Sequence, residues 1–146
     1  MKVLLLSPYE TSIRDFIEDF GDDVHQISRA ILEDELSELD ADYFISYGYR
    51  HILSSDIVEK ISTRAINLHL SYLPWNRGAD PNLWSIVEGT PKGVTIHRIS
   101  TRVDSGNILA QAGITFSSQD TLATSYNKLR ELIETLFLRI LAGNMS

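Results

Sequence analysis

The feature that most constrains this fold is a rhythm in the first seventy residues. Four short strand-like runs, Lys2–Ser7, Val24–Ile27, Tyr43–Tyr47 and Arg64–Leu68, are separated by stretches with helical spacing. Runs this short suit buried strands better than helices, which need ten or more residues to bury a stripe. After Ser12, which with Asp15 reads as a capping box, Ile13, Phe16, Ile17 and Phe20 form one helical face that Gly21 ends. Leu32, Leu36 and Leu39 mark a short acidic helix over Glu33–Leu39, and Ser55 is read as the cap of a helix through Lys60. Strands alternating with helices build a parallel sheet flanked by those helices.

Beyond residue 69 the rhythm changes. Leu73–Asp80 is a loop rich in Pro, Gly and Asn, and Asp80-Pro81 is an N-cap and N1 pair for a helix through Glu88. Val94–Ile99 and Ile108–Phe116 read as strands with no helix between them, so they are expected to be antiparallel neighbours. Asp120 opens a last helix, where Leu122, Tyr126, Leu129, Leu132, Ile133, Leu136, Phe137 and Ile140 recur near helical period before Gly143. Trp84 is read as helix-to-sheet core, and Trp75 as exposed. The expectation is an α/β fold: a mainly parallel twisted sheet with flanking helices and an antiparallel pair near the C-terminus. No repeat or linker interrupts the 146 residues, which suit a single domain over 1–146.

Three polar residues stand out on this frame. Asn67 and His69, two apart at a strand end, point to the same side. Open α/β sheets keep their chemistry where strands run out into loops. Asp104 lies in the Ser100–Gly106 loop. Taken singly, each has an ordinary use: Asn and Asp close turns, and a buried His is more often a hydrogen-bonded core residue than a catalyst. Together, an amide, an imidazole and a carboxylate make a site for proton transfer and oxyanion stabilisation. His51, His69 and His97 match no compact metal motif, so no metal is expected.

Charge narrows the partners. Net charge is −7. Residues 1–49 hold three basic and twelve acidic groups, whereas 50–102 hold seven basic and four acidic. The acidic whole argues against nucleic acid as a partner. The basic middle fits either solvated surface charge or a site for an anionic small molecule. The Val3–Leu6 run is too short for a signal-peptide core or a membrane span. The lack of cysteine allows a reducing cytoplasm, and a cytoplasmic location with no membrane partner is expected.

The run from Ala65 to Gln111 resembles the core signature of the formyltransferases that use 10-formyltetrahydrofolate. These include the glycinamide ribonucleotide, methionyl-tRNA and sugar-amine enzymes. The matching positions are Asn67, His69, Ser71, Leu73-Pro74, Gly78, Gly93, Thr95, His97, Asp104 and Gly106. Tyr72 stands where the family commonly has Leu. The resemblance implies a Rossmann-like fold, here with a shortened N-terminal half, and formyl transfer to a small amine without a metal. It makes Asn67, His69 and Asp104 catalytic, with His97, Ser71 and Gly78 in support. It also implies that main-chain groups of Arg50, His51, Ile52 and Leu53 and the loop Ser100, Thr101, Arg102 and Val103 hold the folate pterin.

The acceptor is narrowed by departures from relatives. The first strand-to-helix turn, Ser7-Pro8-Tyr9-Glu10-Thr11, is no glycine-rich phosphate cradle. The added domains of methionyl-tRNA formyltransferase and of the folate hydrolases are not in this sequence. These departures leave an amino sugar, nucleotide-linked or free, or another small amine as the expected acceptor. The alternatives are a 10-formyltetrahydrofolate hydrolase or a non-catalytic folate-binding module, and a homo-oligomer is compatible with each.

Overall fold

Each of the four early runs forms a strand, and all four are parallel neighbours in one sheet. The computed structural model describes residues 1–101 and 106–143. Strands β1 (Lys2–Leu6), β2 (Asp23–Ile27), β3 (Tyr43–Tyr47) and β4 (Ala65–His69) are joined through helices α1 (Ser12–Asp19), α2 (Leu36–Leu39) and α3 (Ser55–Ile61). They continue into α4 (Pro81–Glu88), β5 (Gly93–Arg98), β6 (Ile108–Gly113) and α5 (Leu122–Leu141). The sheet order is β2-β1-β3-β4-β5-β6, with β5 antiparallel to both β4 and β6. The expected antiparallel pair is therefore present, and the reversal begins one strand earlier, at β4–β5.

Strand alternation sorts the core onto two faces. Val3, Leu5, Ile45, Ile66, Leu68, Val94 and Ile96 pack on one side under Ile13 and Ile17 of α1 and Leu129, Ile133 and Phe137 of α5. Leu4, Leu6, Phe44 and Ala65 pack on the other side with Ile57 and Ile61 of α3. Each fully buried Leu or Ile contributes about 1.5–3 kcal/mol. Asn67, His69, Thr95 and His97 alternate with the first set, so they share a face with Ala65.

Helix starts depart from the local patterns for identifiable reasons. The cap of α1 is Thr11, whose hydroxyl accepts from the Ile13 amide at 3.1 Å. Ser12 is already helical and gives its amide to Glu134, a partner too distant in sequence for a local pattern to reveal. Ser54, not Ser55, caps α3, and Thr121, not Asp120, caps α5 in a reciprocal box with Thr124. Asp80 precedes α4 at φ 51°, outside the extended backbone that side-chain capping needs, and makes no cap bond. The acidic segment is a 3₁₀ turn, Glu33–Glu35, leading into α2. β6 ends at Gly113 rather than Phe116. Trp75 is 41% exposed, as expected, but Trp84 is 50% exposed rather than core. The inward positions of α4 are Asn82 and Ser85, and the Asn82 amide donates to Ser125 Oγ of α5 at 3.0 Å. Among the described residues, no helix is long and apolar enough to cross a membrane.

Candidate active site

The β4–β5 register builds the centre of the site. Asn67 lies directly opposite His97, and His69 opposite Thr95. The Asn67 Nδ2 and His97 Nε2 atoms are 3.3 Å apart. His97 Nδ1 lies 2.9 Å from the Arg98 carbonyl oxygen, which can only accept. Nδ1 therefore carries the proton, and in the neutral ring Nε2 offers a lone pair to the Asn67 amide N–H. This sets the orientation of the Asn67 amide, with its nitrogen toward His97.

His69 is fixed by the same logic. Its Nε2 lies 3.0 Å from the main-chain oxygen of Asn76, so Nε2–H donates and Nδ1 holds the lone pair of the neutral ring. The ring is 6% exposed and meets His97 edge-on, with centroids 6.1 Å apart. Asn76 is held in turn at φ 58°, with its side chain donating to Glu88 and accepting from the Thr90 hydroxyl. Sequence reasoning missed Asn76, because a main-chain acceptor leaves no mark on residue type.

Thr95 staples the loop after β4 to the sheet. Its hydroxyl donates to the Ser71 carbonyl at 2.8 Å and accepts from the Leu73 amide at 3.1 Å. The Gln111 amide donates to both Thr95 Oγ1 and the Leu73 carbonyl. Ser71 is 2% exposed, and its hydroxyl oxygen has no partner among the described residues. Gly78 sits at φ 90° in the following loop. Two other motif glycines are explained by close approach. A Cβ on Gly93 would lie 2.3 Å from the Ala112 carbonyl oxygen, and one on Gly106 would lie 1.6 Å from that of Arg98.

The segments around Leu53 and Ile99 border this face. Leu53 and Ile99 both pack against the cluster containing Phe44 and Ala65. Between them, Arg50, His51 and Ile52 are exposed, Leu53 and Ser100 are half-buried, and Thr101 is exposed. Among the described residues, the main-chain groups of 50–53 make no hydrogen bonds with one another or with the rest of the chain. They form a strip of donors and acceptors suited to the edge of a pterin. Asp104, Arg102 and Val103 lie outside the described residues. The structure thus brings together Asn67, His69 and His97, ties the Ser71 carbonyl to β5 through Thr95, and packs Leu53 of the 50–53 segment on the same face.

Comparison with known proteins points the same way. A family model described as formyl transferase matches residues 19–141. The formyltransferase PseJ from Anoxybacillus kamchatkensis, solved in complex with UDP-4,6-dideoxy-4-formamido-L-AltNAc and tetrahydrofolate, is 48% identical to this chain. The match covers 99% of this chain and 78% of that one, with a TM-score of 0.91. A sugar N-formyltransferase from a Shewanella species is 22% identical, covering 99% and 70%, with a TM-score of 0.85. A phosphoribosylglycinamide formyltransferase from Streptococcus pneumoniae is 18% identical, covering 99% and 98%, with a TM-score of 0.74. The last two share the fold.

Proposed function

The chain belongs to the formyl transferase family, and we propose that it moves a formyl group from 10-formyltetrahydrofolate to the amine of a nucleotide-linked amino sugar. The observation that carries this reading is the 48% identity to PseJ, whose complex holds a formamido sugar nucleotide beside tetrahydrofolate. The Asn67, His69 and His97 arrangement supports the chemistry. The donor sits with its pterin on the 50–53 strip and the 100–103 loop. The acceptor nitrogen attacks the formyl carbon, and the carbonyl oxygen becomes an oxyanion. Asn67, oriented by His97, donates an amide N–H to it. His69 Nδ1 takes the proton lost by the attacking nitrogen and returns it to folate N10 as the carbon–N10 bond breaks. Asp104 orients this transfer. The products are a formamide and tetrahydrofolate, with no net proton change. A soluble donor and a small acceptor fit a single cytoplasmic domain that needs neither membrane nor nucleic acid.

The test is to mix the protein with 10-formyltetrahydrofolate and a UDP-linked amino sugar. Folate absorbance then reports deformylation, and mass spectrometry reports formyl gain on the sugar. Both signals together are expected. Deformylation without any amine would replace the reading with a hydrolase, and folate binding without turnover would replace it with a binding module.

A further inference from the structure

The start of α1 is an anion site that the chain fills itself. The first turn of a βα unit has free amides and a positive helix end, which is why phosphates so often bind there. Here the Glu134 carboxylate, reaching over from α5, lies at that place. Its Oε1 accepts from Ser12 N at 3.0 Å, Ser12 Oγ at 2.7 Å and Thr11 Oγ1 at 2.6 Å. Its Oε2 accepts from the Tyr47 hydroxyl at 2.9 Å. Arg130 stands 3.8 Å away, its guanidinium stacked 4.2 Å over the Tyr9 ring and donating to the Glu10 carbonyl. Four donors and a guanidinium around one carboxylate make a complete set of partners for an oxyanion. Burial pushes the Glu134 carboxyl up, but the bonds from Thr11, Ser12 and Tyr47 outweigh it and hold the group below the usual carboxylate range.

This arrangement borders a cavity. Ser7, Tyr9, Glu10, Thr11, Arg14 and Gln26 line a space of about 460 Å³ beside the carboxyl ends of β1 and β2. Open sheets bind their ligands outside those ends. We propose that Glu134 is a built-in anion that determines acceptor specificity. It occupies the place a ligand's phosphate monoester would take, so the part of the acceptor entering this cavity is uncharged or cationic. The inference rests on the acceptor reading above and adds what that acceptor lacks: a terminal phosphate at this position.

The test separates the two ideas. Inorganic phosphate is titrated into protein labelled for amide NMR, with the Ser12 amide as reporter and neither donor nor acceptor present. The wild-type amide is expected not to respond saturably. In Glu134→Ala, and in Glu134→Ser, which also vacates the place but keeps a short polar side chain, phosphate is expected to bind at Ser12 about tenfold or more tightly than any wild-type response. Should the alanine variant not fold, the serine variant decides alone. Phosphate binding at Ser12 in wild type as tight as in the variants would overturn the proposal, as would absence of binding in a folded variant. A merely structural Glu134 would change melting without creating a phosphate site. Failure of wild type to formylate an amino sugar would sink the acceptor reading and leave this titration to decide on Glu134.

Discussion

At the residue scale, the site depends on which hydrogen each imidazole carries. Two main-chain carbonyls, those of Asn76 and Arg98, fix His69 and His97 in opposite tautomers. The substitutions Asn67→Ala and His69→Ala are each expected to lower kcat by roughly 10²-fold or more in protein that is still folded at the assay temperature. Near-normal turnover in a folded His69→Ala enzyme would refute the proton-transfer role. His97→Ala is expected to act chiefly through the orientation of Asn67. It should lose less than Asn67→Ala, and the double variant should be no worse than Asn67→Ala. Additive losses would mean that His97 has a separate role. That Asn67 and His69 share one face of a strand was legible in the sequence from their spacing. Their tautomers were not, since both are set by main-chain oxygens. For Asp104 the motif is the ground of the proposed role.

At the element scale, strands were legible and helix faces less so. Buried strands announce themselves through continuous apolar residues, whereas α4 is built against that rule, with Asn82 and Ser85 inward and Leu83, Trp84 and Val87 exposed. An apolar stripe read without its neighbour, α5, placed Trp84 on the wrong side. Replacing Trp84 with Ser is therefore expected to change stability by under about 0.5 kcal/mol. Asn82→Ala, which removes the bonds to Ser125 and to the Leu122 carbonyl, should cost about 1–3 kcal/mol. Urea unfolding of both variants checks the order, and a larger loss from Trp84→Ser would reverse the assignment of faces. The start of α5 adds an acid sensitivity. Bonds from Lys128, the Ser117 amide and the Thr124 hydroxyl lower the Asp120 carboxyl from an ordinary 3.8 to about 2. A group with a depressed folded-state pKa stabilises the fold above its unfolded value and loses that contribution as pH falls through the folded one. Between about pH 4 and pH 2 the Asp120→Asn variant should therefore lose less stability than wild type, as read by melting temperature. Parallel acid limbs would mean that Asp120 is not held this way.

At the scale of the whole molecule, the sheet divides labour between its faces. The face under α1 and α5 holds aliphatic side chains from all six strands, those of β2 and β6 partly buried, while the other presents Asn67, His69, Thr95 and His97 between apolar neighbours. Strand alternation enforces this, since every residue between two of these polar positions must point to the opposite side. Stability and chemistry should then respond to different substitutions. Ile133, fully buried on the α5 side, is the place to test it. Ile133→Val removes one methyl group and is expected to cost about 0.5–1.5 kcal/mol. That is a fall of a few degrees in melting temperature, of the order of 2–8 °C per kcal/mol. At temperatures well below melting, kcat and the KM for the folate donor should stay within about twofold of wild type, because none of the proposed catalytic groups among the described residues lies on that face. Thr95→Val makes the converse case. It keeps the size of the side chain but removes the hydroxyl that ties the Ser71–Leu73 loop to β5, and it should reduce kcat well beyond its effect on melting. If Ile133→Val cost as much activity as Thr95→Val, the two faces would not be independent, and the sheet would be transmitting strain from its core to its site.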